Sequence, residues 1–496
     1  MSESSTAAPA NHHISLSLVS HTNAGKTTLA RTLLGQDVGE IRDESHVTEI
    51  AERYTMVTTE QGDVLQLWDT PGFGDSARLA KRLENSANPL GWLVGQVWDR
   101  FSDRATYSSQ QAIRNVRDHA DVVLYLVNAS EDPQDAAYVE PEMRILAWTG
   151  KPVIVLLNQM GPPRPTDVEA ADIAQWRTHL ANQPMVKKVL ALDAFARCWV
   201  QEGSLLDDIA GVLDPAHAAS YQRLRDQWLS DRRQVFDDAI AALASGIANA
   251  ASDIERVADA GLLSSVRDAG AAIGIGNSDA SKARDAAMVS LAERWDKTNR
   301  ETTDKLIALH GLSGSAAQQV LTRVDAHYAV HRKLSEGKAA IVGGVTTGAL
   351  AGLKADIASG GMTLGGGMIA GGVIGALGAA GLARGYNMIR GINDVVIQWS
   401  DDVLKNKVST ALLTYLAVSH FGRGRGDWER SEYPPHWKDV VTQAVDDKSA
   451  RFSKAWKGRE RDDGRDKLIT ATTKLLNETA RDVLKKLYPD ASDVLR

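Results

Sequence analysis

Ser20-His21-Thr22-Asn23-Ala24-Gly25-Lys26-Thr27-Thr28 follows the apolar run Ile14-Ser15-Leu16-Ser17-Leu18-Val19 and precedes the helical stretch Leu29 to Leu34. A β-rich run, a loop carrying Gly-Lys-Thr and then a helix form the context in which this short motif has chemical meaning. The backbone N–H groups of such a loop, with the helix N-terminus behind them, offer unpaired donors and positive partial charge to phosphate oxygens. Asn23, Ala24, Gly25 and Thr28 belong to that cradle. Lys26 is expected to reach the outer phosphates, and the Thr27 hydroxyl to ligate Mg²⁺. Ser20 stands where a first glycine is usual, and a small residue can still open the loop.

Outward from this loop, Val64-Leu65-Gln66-Leu67-Trp68 is a second β-rich run, and it ends at Asp69-Thr70-Pro71-Gly72. Asp69 is expected to hold Mg²⁺ through water, and the Gly72 N–H to sense the outermost phosphate. Asp-Thr-Pro-Gly alone reads as a turn, since Pro and Gly form turns. Gly-Lys-Thr-Thr alone reads as a helix start. The two together, each after a strand and in this order, read as a nucleotide site. Asp121 to Asn128 and Pro152 to Asn158 are near-continuous apolar runs, and Val186 to Leu192 is a weaker one. Buried runs separated by helical stretches indicate a mostly parallel sheet with helices on both faces. Residues 14–213 are therefore expected to form one α/β domain.

The length of 496 residues exceeds what a single core usually covers, so further domains are expected. The apolar fraction of 43% and charged fraction of 24% are those of a folded, water-exposed protein. A net charge of -7 argues against a broad nucleic-acid surface, and no nucleic-acid partner is expected. Cys198 is the single cysteine, which excludes an internal disulfide and fits a reducing compartment; it reads as a small buried apolar residue. Residues 1–13 are polar, lack an apolar signal core and are expected to be a disordered tail, which points to a cytoplasmic location.

Asn23-Ala24-Gly25-Lys26-Thr27 followed by Asp69-Thr70-Pro71-Gly72-Phe73 resembles the Era/TrmE-like branch of the TRAFAC-class P-loop GTPases. The resemblance implies binding of GTP and GDP and hydrolysis of GTP with Mg²⁺, through Lys26, Gly72 and a first-switch threonine that closes over the metal. Thr48 suits that role by spacing, with Thr55 and Thr58 as rivals. Phe73 occupies the position where Ras-like proteins place a water-orienting glutamine, so another group must position the attacking water. In TrmE-like members the asparagine matching Asn23 ligates K⁺ in place of an arginine finger. For Asn23 this implies a K⁺ ligand, with a loop-stabilising asparagine as the alternative, and a homodimer through the GTPase domain is one way to close the site.

The base site departs from that family. Where Asn-Lys-x-Asp is expected, the chain has Asn158-Gln159-Met160-Gly161. Asn158 keeps a loop-bracing role and Gln159 stands in the lysine's place, while the aspartate that accepts from guanine is missing. Losing such an acceptor costs base discrimination, and the choice between GTP and ATP stays open. Asp193 and Ala194 follow the last strand, where the family's final base-contacting loop lies; Asp167 is a more remote substitute. Between Phe73 and Asp121, the apolar stretch Pro89 to Trp98 is expected to be a lid helix on its own domain or a contact for a partner or a second copy.

Past Pro215 the strand signals stop and helical periodicity takes over, giving helical segments over 214–338 and 386–496 with a glycine-rich apolar hairpin at 339–385 between them. Gly344, Gly348 and Gly352, then Gly367, Gly371 and Gly375, recur at every fourth residue and place small residues on one helix face. In water such a glycine load costs a helix up to ~1 kcal/mol per residue relative to alanine, which low-dielectric surroundings or tight packing must offset. The first apolar run is shorter than the ~20 residues of a membrane-spanning helix. Residues 339–383 thus suit a re-entrant or peripheral contact with membrane lipid, or else a hairpin buried in an all-α domain. This arrangement resembles bacterial dynamin-like proteins, and also an uncharacterised bacterial family that joins an Era-like domain to a C-terminal domain of unknown function. The functional expectation is a GTP-hydrolysing switch that associates with a membrane or with itself; the alternatives are a soluble regulatory or assembly-factor GTPase, or a degenerate nucleotide-binding scaffold.

Overall fold

A computed structural model of the chain describes residues 12–35, 51–84, 88–89, 104–160, 164–192, 198–258, 279–312, 386–390, 394–421, 435–457, 459 and 464–495. Thr48, Asp193, Ala194, most of the Pro89–Trp98 stretch and the glycine-rich hairpin at 339–385 lie outside the described residues, as does the tail up to residue 11.

The chain divides into two compact units. The first comprises Met1–Gln234 with Ser419–Asp427 and Tyr488–Arg496, and the second Val235–Val418 with Trp428–Leu487. In the first unit, β1 (His13–Ser20), β2 (Glu52–Thr58), β3 (Val64–Asp69), β4 (Val122–Asn128), β5 (Val153–Asn158) and β6 (Val186–Ala191) form a six-stranded sheet in the order β2-β3-β1-β4-β5-β6. Every neighbouring pair is parallel except β2 with β3, which is antiparallel. The weak run at Val186 is thus a strand, as expected.

The central strands are buried on both sides, which is why their sequences read as continuous apolar runs and not as alternations. Val123, Tyr125 and Val127 of β4 share one core with residues of α2 (Ser76–Glu84), α3 (Arg104–His119), α4 (Val139–Ala147) and α5 (Thr166–His179). Leu124 and Leu126, of opposite parity, are equally buried on the other face. There α1 (Lys26–Leu34) lies against β1 and β3. Later in the same unit, α6 (Trp199–Ala210) runs so close to the C-terminal 3-10 turn that a Cβ on Gly203 would meet a Val494 methyl at 2.8 Å.

In the second unit helices predominate, as expected. α7 (Ala218–Ser252) enters it from the first unit, and α8 (Asp279–Leu309), α9 (Asp401–Ser419), α10 (Pro435–Asp446), α11 (Ser449–Ala455) and α12 (Arg465–Leu487) follow. The expectation of a second half without strands is corrected. β7 (Ile254–Ala258), β8 (Tyr386–Arg390) and β9 (Asp394–Trp399) form an antiparallel sheet in the order β7-β9-β8. Val395-Val396-Ile397 is β-branched and fits a pleated surface, but β7 pairs with it from far back in the chain, beyond the reach of local periodicity. Lys407 of α9 is fully buried, its ammonium 3.9 Å from the ring centroids of both Trp295 and Trp399. Among the described residues no helix is long and apolar enough to cross a membrane.

Candidate nucleotide-binding site

β1 delivers the chain into the loop at its C-terminal end, where ligands of open α/β sheets bind. The loop uses two left-handed backbone positions, Asn23 at φ 66° and Gly25 at φ 87°. Asparagine tolerates this region and glycine is unstrained in it. At Gly25 the need for glycine is also steric, since a Cβ there would lie 2.6 Å from Asn158 Nδ2.

Lys26 and Thr27 open α1. The Lys26 side chain is buried, and its ammonium donates to Ser20 Oγ at 3.0 Å. Ser20 therefore serves the loop as a polar floor, where a glycine would leave the lysine without this acceptor. Burial pulls the Lys26 pKa below the usual lysine value, opposed by the negative charges of Asp69 and Glu142. Thr27 Oγ1 donates to Asp69 Oδ2 at 2.6 Å. Asp69 is almost fully buried at the end of β3, and burial pushes its carboxyl up to about 6, against the pull of Lys26 and Thr27. Its other oxygen, Oδ1, is buried without a hydrogen-bond partner among the described residues. A hydroxyl beside a buried carboxylate with an unfilled acceptor is the donor set a magnesium ion and its waters require, so the residues fit that metal.

The Asp-Thr-Pro-Gly-Phe stretch is tied to the loop along its length. Thr70 Oγ1 donates to the Leu18 carbonyl at 2.6 Å, Phe73 N–H to the Ser20 carbonyl at 2.9 Å, and Thr22 N–H to the Phe73 carbonyl at 3.1 Å. Gly72 stands against the loop itself. A Cβ there would be 3.0 Å from Thr22 Cα and 3.1 Å from Lys26 Nζ, so this position needs glycine to come so near the lysine. Phe73 is wholly buried in the core, which removes its side chain from contact with a nucleotide.

From β5, Asn158 is fully buried and donates to the Ala24 carbonyl at 2.8 Å; Gln159, left-handed at φ 59°, directs its amide toward the Asn23 carbonyl at 3.4 Å. The structure thus brings Asn23, Ala24, Gly25, Lys26, Thr27, Asp69, Gly72, Asn158 and Gln159 together. Thr28 is buried on α1 within the same turn. Thr55 and Thr58 lie on the edge strand β2, and Asp167 is exposed in the first turn of α5.

The sequence reading did not single out Glu142. It is fully buried on α4 with His21 Nδ1 2.7 Å from Oε1, and Tyr125 donates its hydroxyl to Oε2 at 2.6 Å. The signal was present: Val139, Met143 and Leu146 mark the apolar stripe of this helix, and Glu142 falls on it.

Residues 15–159 match the family model of the 50S ribosome-binding GTPases, and residues 180–477 match that of a domain of unknown function (DUF3482). No curated protein matches the chain. Among solved structures, an Era variant of Aquifex aeolicus bound to GDP.AlF4- is 18% identical, with a TM-score of 0.31 over 41% of this chain and 57% of that one. Era in complex with MgGDPNP and a fragment of 16S ribosomal RNA is 18% identical, with a TM-score of 0.30 over 41% and 58%. The chain thus spans less than two thirds of the length of either Era structure. A bacterial dynamin pair, described as sensing and tethering membranes, is 8% identical with a TM-score of 0.24, over 97% of this chain and 70% of that one.

Proposed function

We propose, since the chain belongs to the family defined by the domain of unknown function (DUF3482) and carries a P-loop GTPase domain ahead of it, that it is a switch that binds and hydrolyses GTP. The observation that carries this reading is the convergence of Lys26, Thr27, Asp69 and Gly72 on one loop. Backbone N–H groups from Asn23 to Thr28 hold the phosphates, and Lys26 supplies positive charge to the bond that breaks. Thr27 and Asp69, with Thr48 from the first switch, would hold Mg²⁺, which when bound offsets the phosphate charge. Gly72 offers its N–H to the γ-phosphate. Asn158 and Gln159 brace the loop, and Asp193 and Ala194 are assigned to the base by their place in sequence after the last strand. Because Phe73 is buried, another group orients the attacking water, and Asn23, exposed in the loop, would hold K⁺ there.

The second half of the chain answers nucleotide state by associating with a membrane or with a second copy. This part of the reading is supported by the glycine-patterned, nearly uncharged sequence of 339–383. Flotation with liposomes of anionic and zwitterionic lipid, together with light scattering, tests it in GTP, GDP and nucleotide-free samples. A nucleotide-dependent change in either measurement is expected. A chain that never floats and keeps one mass in all three samples removes the association.

A further inference from the structure

We propose that Glu142 is a positioning residue that couples the phosphate loop to the second switch, an inference that rests on the nucleotide-hydrolysis reading above. A carboxylate with no solvent exposure carries a large desolvation cost and persists only where hydrogen bonds offset it. Glu142 has those bonds, and each comes from a different part of the site. His21, the second residue of the phosphate loop, places Nδ1 2.7 Å from Oε1. Tyr125, on β4, donates to Oε2 at 2.6 Å. Burial pushes the Glu142 carboxyl above its ordinary range, opposed first by His21, then by Tyr125 and by Ser76, which opens α2 just behind Gly72. Lys26 lies near enough for its ammonium to be stabilised by the same charge.

The His21 ring is held from its other side, stacked on Tyr138 with centroids 4.5 Å apart and planes 23° from parallel. Tyr138 immediately precedes α4, so the loop residue is gripped twice by one helix. That helix also packs against α2, where Arg144 forms an ion pair with Glu84. The phosphate loop and the head of α2 therefore rest on the same support. Between them lies Gly72, the residue that meets the γ-phosphate in the proposed function. Its neighbours on the α2 side are fixed as well: Gly74 N–H donates to Ser109 Oγ at 3.1 Å, and a Cβ on Gly74 would clash with Ala105. Any displacement of α2 on gain or loss of the γ-phosphate is met at Glu142, and the carboxylate holds Gly72 in register with Lys26. A diphosphate makes no use of Gly72, so the coupling acts on the triphosphate state.

The test uses the full chain with fluorescent GDP, a slowly hydrolysed GTP analogue and phosphate release from GTP. E142Q keeps the side-chain volume and removes the charge. It is expected to bind GDP within about twofold of wild type, while analogue affinity and kcat fall by about tenfold. Ser76→Ala, a smaller change that tests the coupling even where E142Q fails to fold, shifts both in the same direction by less. Tyr125→Phe removes a hydrogen bond from the same carboxylate on the sheet side; it lowers the melting temperature and leaves the ratio of triphosphate to diphosphate affinity unchanged. Folded E142Q and S76A proteins with wild-type ratios and kcat overturn the coupling, as does a Tyr125→Phe protein whose ratio moves as far as theirs. A wild-type chain that binds and hydrolyses no nucleotide overturns instead the reading on which the coupling rests.

Discussion

Asn158 donates its side-chain N–H to the Ala24 carbonyl at 2.8 Å, joining the end of β5 to the phosphate loop across 134 positions of sequence. The bond is buried, and it fixes how close Gly25 must come to the asparagine. Asn158→Ala leaves a buried carbonyl unpaired, which costs about 1–3 kcal/mol. Gly25→Ala adds left-handed strain of about 1–2 kcal/mol and a steric clash. Both variants are expected to lose nucleotide affinity, Gly25→Ala the more severely, as titration with fluorescent GDP will show. Wild-type affinity in Gly25→Ala would mean the loop relaxes without the contact.

Asn23 stands exposed with a left-handed backbone at the loop crest. If its side-chain oxygen ligates K⁺, replacing K⁺ by Na⁺ slows hydrolysis by on the order of tenfold or more, since a cation here does the work of an arginine finger. Asn23→Ala should be equally slow in both salts. Identical wild-type rates in K⁺ and Na⁺ assign the asparagine to loop stabilisation.

Asp63, at the turn between β2 and β3, is buried and accepts two hydrogen bonds from the Arg223 guanidinium at 2.7 and 3.1 Å. The Arg223 hydrogen bond, aided by Thr59, holds its carboxyl below the usual range. A lowered folded-state pKa contributes stability above the unfolded-state value, near 3.9, and that contribution is lost as pH falls through the folded-state value. Asp63→Asn should therefore melt below wild type at pH 7, with the gap closing as pH drops under the ordinary carboxylate range. A gap that is unchanged at acid pH would assign the loss to packing.

In the second unit, the Lys407 ammonium between two indoles is a desolvated cation–π arrangement of about 2 kcal/mol. Lys407→Ala also opens a cavity at a fully buried position. Chemical denaturation should show a loss of about 3 kcal/mol. A loss under 1 kcal/mol would mean the indoles close on each other without cost.

The parts of this molecule that were legible in sequence are those whose determinants are contiguous. Ile14 to Thr28 spells strand, loop and helix in one stretch, and the buried runs at Asp121 and Pro152 announce strands covered on both faces. The place of Asp69 was legible because a strand ends on it. Glu142 escaped because its partners His21 and Tyr125 are remote in the chain, and its own helix shows only one polar residue on an apolar stripe. The β7–β9 sheet escaped for a related reason. Ile254-Glu255-Arg256-Val257-Ala258 carries little strand signal beside the long helix before it, and its pairing with Asp394–Trp399 closes a long loop. Tyr386 to Trp399, with Tyr386 and Ile389 before Gly391-Ile392-Asn393 and the β-branched run Val395-Val396-Ile397 after it, did hold a hairpin signal.

Phosphate release from GTP and ATP in parallel decides whether the loop around Lys26 hydrolyses a nucleoside triphosphate. The full chain and Lys26→Ala are compared, each with and without Mg²⁺. Mg²⁺-dependent release from GTP by the wild type is expected, with a loss of at least about 100-fold in Lys26→Ala. Equal release by the two proteins, or no release from either nucleotide, would contradict hydrolysis at this loop.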